Sequence, residues 1–474
     1  MHLTFAWAAI LPLFSSVLVA ALPEPAVEAL GRSWVSDDII TRDIAVIGGG
    51  ASGTYAAIRL GELNKTVMLI ERKDRLGGHT ETYTDPATGI NIELGVLEWH
   101  NTSIVRDFFA RFNVSLTLLS DGGSAGNVPT PIDFTTGKVV TNYIPQDPTA
   151  ALAVYGAQVA RYPYIETGFD LPDPVPSDLL LPFGQFITKY NISAAADLIF
   201  NFNQGAGDYL ATPTLYIMKL LCLSVLEGLV TGFLTTAAHD NSLLYERAQA
   251  FLLAANSVSL SSYIIAADRD TTGVKIALLT PTGPKLILAK KVLITMPPSL
   301  QNLAPFFLDS TEEGIFSKFS SSGYYTGLIN NTGIPVTFDI QNLGANTPFN
   351  IPQLPGLYSI DNTPVPGLQQ FLFGSPTLLS DDAVKSDIIA SVKKLKTAGT
   401  FNTTTPEFVA FSSHSPFLMS VTSDEIANGF YRKLYGLQGY RSTFYSGAAF
   451  HTHDSSLLWE FTEALLPNIT ASLG

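Results

Sequence analysis

Residues 43–53 read Asp-Ile-Ala-Val-Ile-Gly-Gly-Gly-Ala-Ser-Gly, an unbroken apolar stretch that ends in a cluster of glycines. A continuous apolar run this short, bounded by glycine, predicts a strand covered on both faces that feeds a tight turn. Residues 54–63 then have a helix-like pattern, and Val67-Met68-Leu69-Ile70 is a second apolar strand that delivers Glu71. Strand-like runs return at residues 263–266, 274–279 and 291–297, with turns at Thr272-Gly273 and Thr282-Gly283, and again at residues 443–450. Residues 194–202, 215–229 and 457–466 are helix-like. Apolar strands interleaved with helices predict an α/β fold around a parallel sheet.

The first turn carries chemistry. Gly48, Gly50 and Gly53 have the Gly-x-Gly-x-x-Gly spacing: one glycine for the tight turn, one for backbone approach to a pyrophosphate, one for close packing of helix on strand. The helix that follows aims free N–H groups at the phosphates. Glu71 stands about 20 residues past the first glycines, where an acid that binds ribose hydroxyls belongs. These parts make one βαβ half for a dinucleotide, NAD or FAD. Arg75-Leu76-Gly77-Gly78-His79-Thr80 adds a second glycine pair that a simple NAD unit does not need.

On these residues the chain resembles the flavin-containing amine oxidase superfamily, whose signature continues past the ribose acid into Arg-x-Gly-Gly. The resemblance implies FAD as cofactor, with Gly77 and Gly78 lying against it and His79 where arginine is usual. It makes residues 263–297 an adenine-side meander with a return strand, placing Ile265 among the cofactor contacts. It makes the junction from Gly447 to Asp454-Ser455-Ser456 the segment that closes on the flavin, with Ser455 and Ser456 offering N–H groups to its pyrimidine edge. Asp454 is equally a good N-cap, so simple capping stays open. Ala448 stands where the family commonly has a glutamate, and Thr326 where many amine oxidases have lysine. The segments 50–57, 77–79 and 444–456 are most similar to a fungal branch that includes beta-cyclopiazonate oxidocyclase and FAD-dependent enzymes of secondary metabolism. The fold implied is a Rossmann-like FAD-binding domain with an interleaved α+β substrate domain. Its FAD parts are expected at residues 22–100, 241–300 and 435–474, and its substrate parts at 101–240 and 301–434.

Composition narrows the class. The 474 residues are 46% hydrophobic and 14% charged with net charge −14, which suits a large enzyme with sizeable cores and argues against nucleic acid. Residues 3–22 are nearly all apolar, interrupted by Pro12 and Ser15-Ser16, and end in small residues, so residues 1–21 are expected to be a cleaved signal peptide that leaves no stable membrane span. Asn64, Asn101, Asn113, Asn191, Asn330, Asn402 and Asn468 each precede Ser or Thr by two residues and are expected glycosylation sites in a secretory-pathway or secreted protein. Cys222 is the only cysteine, in an apolar run, which excludes an internal disulfide and points to a buried structural thiol.

His451 and His453 lie between the flavin-contact strand and its helix and are the first acid/base candidates; His100 is the third. If the segment is a strand the two share a face, whereas a turn separates them. No further ligand lies near them in sequence, so no metal is expected. Proline-rich loops and aromatics in the inserted segments suit an apolar pocket for a small hydrophobic substrate. Dioxygen or another acceptor would reoxidise the flavin. The expectation is an FAD-dependent oxidoreductase that dehydrogenates, or oxidatively cyclises, such a metabolite. A flavin amine oxidase producing hydrogen peroxide, and a flavin-fold carrier without turnover, remain the alternatives.

Overall fold

Residues 30–119 and 129–474 are described by the structure, a computed structural model. The expected signal peptide lies outside them. The apolar run at residue 43 lies in the strand Ile39–Ile47, with Val67–Ile70 parallel on one side and Gly283–Ile294 parallel on the other. Thr443–Tyr445 extends the sheet, again parallel. Register sets Ile47 opposite both Ile70 and Ile294, and Ile294 opposite Tyr445, so four strands end level. Gly48, Glu71, Thr295 and Ser446 therefore open along one carboxyl edge, where ligands of doubly wound sheets bind.

Gly283–Ile294 is long enough to serve several neighbours in this one sheet. Residues 283–289 pair antiparallel with Val274–Thr280, which pairs with Tyr263–Arg269, forming the expected meander; residues 286–294 pair parallel with Ile39–Ile47 on the other edge. The helix Ala51–Glu62 covers one face and the C-terminal helix Ser455–Ala471 packs beside it. Tyr55, Phe108 and Trp459 interlock there at centroid distances of 4.8–5.9 Å. Phe108 belongs to the helix Ser103–Arg111, so the boundary expected at residue 100 falls too early: that helix buries its apolar face in the cofactor-domain core.

The inserted segments build a second unit together. Its seven-stranded sheet takes Thr130–Asp133 and Lys138–Val139 from the first insertion and five strands between residues 323 and 413 from the second. Asp381–Thr397 covers this sheet with Val384, Ile388, Val392 and Leu395. The run at residues 215–229 is broken rather than one helix. Thr214–Leu220 ends and Leu223–Thr231 begins at Cys222, where the Glu166 carboxylate accepts the Leu223 N–H at 2.5 Å and the Ser224 hydroxyl at 2.7 Å. Thr214–Thr231 is apolar and long enough to span a bilayer by composition, yet 56% of it is buried inside the protein.

Candidate active site

Close packing around the first glycine turn leaves no room for side chains. Gly48 has φ +100°, and a Cβ on Gly53 would lie 1.8 Å from the Gly48 carbonyl oxygen. The helix starts at Ala51 with no side-chain cap and no acid in its first turn, so its N–H groups face the carboxyl edge of the sheet unneutralised. Glu71 accepts the Gly49 N–H at 2.6 Å and the Lys73 N–H at 2.7 Å, which pins the acid beside the turn. The second glycine pair folds directly onto the first: a Cβ on Gly78 would lie 2.9 Å from Gly50 Cα. Arg75 holds that loop by donating to the carbonyls of Leu76 and Thr80 at 3.2 and 3.0 Å.

Ile265 is placed differently from expectation. It sits at a bulge of Tyr263–Arg269, at the opposite end of the sheet order from Val258–Ser259. The backbone beside Glu71 is that of residues 258–262, with Ser262 N–H donating to the Glu71 carbonyl and Ser261 N–H to that of Lys73. Residues 258–262, rather than Ile265, are thus the part of this segment that would face a ribose held by Glu71.

Four rings meet behind the second glycine pair. His79 stacks on His414 at 4.5 Å and 13°, and His453 stacks on Phe417 at 3.9 Å and 19°; His79 and His453 are parallel within 6° at 6.5 Å. Tyr324 packs against both His414 and Phe417. His79, His453 and Tyr324 are half-buried in this cluster. Burial holds all three imidazoles neutral: His79 far below its ordinary value, His414 at about 3, His453 at about 4. His414 Nε2 and His453 Nε2 are buried without a hydrogen-bond partner. His414, Phe417 and Tyr324 carry no local motif, and only the fold brings them to His79.

The C-terminal junction is a turn. Thr443–Tyr445 is the only strand part; Gly447 has φ +102°, and a Cβ there would lie 2.8 Å from the Thr295 carbonyl. The short helical turn Ala448–Phe450 follows, and it sends His451 and His453 in different directions. His453 enters the ring stack. His451 does not: its Nε2 donates to the Glu166 carbonyl at 2.9 Å and its Nδ1 accepts from Lys219 Nζ at 3.1 Å, leaving no free nitrogen for acid/base work.

Asp454 caps the final helix through Leu457 N–H at 2.9 Å and draws on Ser456 N–H as well. The Ser456 hydroxyl accepts the His100 backbone N–H at 3.0 Å. Part of the helix-end charge expected to serve the flavin is thus spent on a carboxylate. His100 Nε2 lies 3.0 Å from Asp454 Oδ2. Burial opposes a charge on that ring, but Asp454 outweighs it and holds His100 above its ordinary value, while Asp454 stays below the usual carboxylate range. Burial, with Asp454 adding, pushes Glu98 up to about 7.

Whether these residues fit FAD is decided by the cradle. Two glycine turns in close backbone approach, the bare helix start, a pinned acid and buried unpartnered hydroxyls on Ser52, Thr80 and Tyr245 supply the backbone and polar groups that a dinucleotide needs. The comparisons agree. The FAD-dependent oxidoreductase oblC of Cochliobolus heterostrophus is 41% identical over 97% of this chain and 97% of its own. The chain belongs to the fungal FAD-dependent oxidoreductases. The oxidoreductase is also 34% identical to beta-cyclopiazonate dehydrogenase of Aspergillus flavus over 94% of this chain and 96% of that one. Residues 46–112 match the NAD(P)-binding Rossmann-like domain. Its fold is that of the flavin amine oxidases. A fatty acid isomerase from P. acnes superposes with TM-score 0.72 at 19% identity over 92% of this chain and 99% of that one. Putrescine oxidase bound to putrescine superposes with TM-score 0.62 at 15% identity over 91% and 100%. The enzyme takes FAD, and Gly48, Gly50, Gly53, Glu71, Gly77 and Gly78 are the residues that would hold it.

Proposed function

We propose that this oxidoreductase dehydrogenates a small, hydrophobic, uncharged metabolite, closing a ring where the substrate carries a nucleophile within reach, as a tailoring step in secondary metabolism. The observation that carries the reading is the ring stack: four near-parallel faces from His79, His414, Phe417 and His453, with every imidazole neutral. Such walls favour flat apolar groups and give an ammonium ion no counter-charge. Thr326, buried where amine oxidases carry lysine, supports the same direction. Bound FAD supplies the hydride acceptor, and dioxygen or another acceptor takes the electrons onward. The chain supplies orientation through the stack and a proton acceptor at the unpartnered Nε2 of His453 or His414. A relative named for beta-cyclopiazonate supports a metabolite substrate.

Export forms part of the proposal, resting on the apolar leader and on the sequons. Asn64, Asn101, Asn113, Asn191, Asn402 and Asn468 are exposed, while Asn330 is half-buried with its Oδ1 enclosed. A downward gel shift on endoglycosidase treatment checks this; an unchanged mass refutes it.

Anaerobic mixing of the yellow holoenzyme with matched neutral and cationic substrates tests the activity. Bleaching by neutral, conjugated compounds supports the reading. Bleaching by primary amines alone makes the enzyme an amine oxidase, and an FAD-loaded protein that no donor bleaches is a carrier.

A further inference from the structure

Lys219 is a buried cation that the reaction described above does not use. It lies on Thr214–Leu220 in the substrate domain and is 3% exposed. Its ammonium donates to the Ile165 carbonyl at 2.6 Å, the Gly168 carbonyl at 3.2 Å and His451 Nδ1 at 3.1 Å, and lies 4.9 Å from the centre of the Phe169 ring. Because the ammonium occupies Nδ1, the His451 proton sits on Nε2 and points to the Glu166 carbonyl. The Lys219 carbonyl in turn accepts the Thr452 hydroxyl at 3.2 Å.

A second group repeats this connection. Tyr435 Oη accepts the Phe169 N–H and donates to the Phe450 carbonyl, both at 2.7 Å, and a Cβ on Gly168 would lie 2.6 Å from that oxygen. Residues 165–169 are thereby tied to the turn 450–452 through Lys219, His451 and Tyr435. That turn fixes where the next two residues emerge: His453 in the ring stack and Asp454 at the helix start paired with His100.

We propose that Lys219 is a positioning residue for the flavin site, acting through His451 to hold the turn that presents His453 and Asp454. Substrate domain and flavin-contact segment are locked together at this point, and the lock is complete only while the lysine carries three protons. A neutral amine has two N–H groups for the three acceptors. Burial by itself favours the neutral amine and brings the Lys219 pKa down to about 7, so the three acceptors and the Phe169 ring are what hold the ammonium in this place. The other titratable groups facing it are Glu166, Cys222 and His451, and Asp454 acts in turn on His451. Cys222 is held near 12, His451 is held neutral and Asp454 ionised, so none of these three changes charge at about pH 6 to 8.

The test is FAD dissociation and visible circular dichroism of the flavin bands in the full-length holoenzyme at one fixed pH. Lys219→Met is expected to bind FAD about tenfold more weakly than wild type and to change the dichroism of the bound flavin, as removal of one charge-assisted hydrogen bond implies. Lys219→Met with wild-type affinity and dichroism would overturn the proposal. If that variant does not fold, His451→Leu and His451→Gln decide. Loosened FAD in the leucine variant with recovery in glutamine, which can still accept and donate, supports the lock; a leucine variant that behaves as wild type overturns it.

Discussion

Two glycines of one helix should respond to the same substitution with opposite signs. Gly53 and Gly61 both lie in Ala51–Glu62. A Cβ on Gly53 would sit 1.8 Å from the Gly48 carbonyl oxygen and 2.7 Å from Thr295 Oγ1, whereas nothing lies within 4 Å of one on Gly61. Ordinary contact begins at 3.4 Å, so Gly53→Ala must push the glycine turn from the helix by about 1.6 Å. Overpacking of that kind costs about 1–3 kcal/mol. Because the displaced backbone is the cradle itself, the cost falls on cofactor binding, as a rise of roughly fivefold to 150-fold in the FAD dissociation constant. Gly61→Ala removes backbone freedom from the unfolded chain and should stabilise the protein by about 0.5–1 kcal/mol with FAD affinity unchanged. Flavin fluorescence on release measures the first effect and thermal melting the second. A Gly53→Ala enzyme that holds FAD as tightly as wild type would refute the argument that helix and turn touch here.

Glu312→Ala should lower stability by about 3–5 kcal/mol, since it strands Arg269, fully buried and bidentate to Glu312 at 2.8 and 3.0 Å, as well as Arg441 at 2.8 Å. A melting temperature within a degree of wild type would contradict this. The His100–Asp454 pair should give stability with two pH limits. Asp454, depressed in the fold, contributes above the ordinary carboxylate pKa and loses this as pH falls through its folded value; His100, raised in the fold, contributes fully below its ordinary 6.5 and loses this as pH rises through its folded value. His100→Gln should abolish the alkaline loss in a pH series of melting curves, and a profile parallel to wild type would sink the assignment. Burial pushes the Cys222 thiol up to about 12, so a thiol reagent should label the native protein negligibly and the denatured protein once per chain. Rapid native labelling would mean the helix break at Cys222 opens in solution.

The glycine turn, the ribose acid and the strand–helix alternation were legible in the chain because their constraints are local. Gly48 must reach φ +100°, Gly53 must let its helix touch the preceding turn, and the apolar runs at 44–47 and 67–70 have one way to be buried on both faces. The break at Cys222 was not visible, since the carboxylate that caps the second helix comes from Glu166. His451 and His453, two residues apart and alike in sequence, receive different roles only in the fold: Lys219 and Glu166 occupy one ring, while Phe417 receives the other. His414 comes from 335 residues beyond His79 to complete the stack, and Ser261 and Ser262 rather than Ile265 run beside Glu71. Local backbone requirements are written where they act, so the sequence alone determined the glycine turn and the acid beside it. Stacking, burial and capping depend on partners that the chain brings together only on folding, so the interior facing the substrate was decided by the tertiary structure.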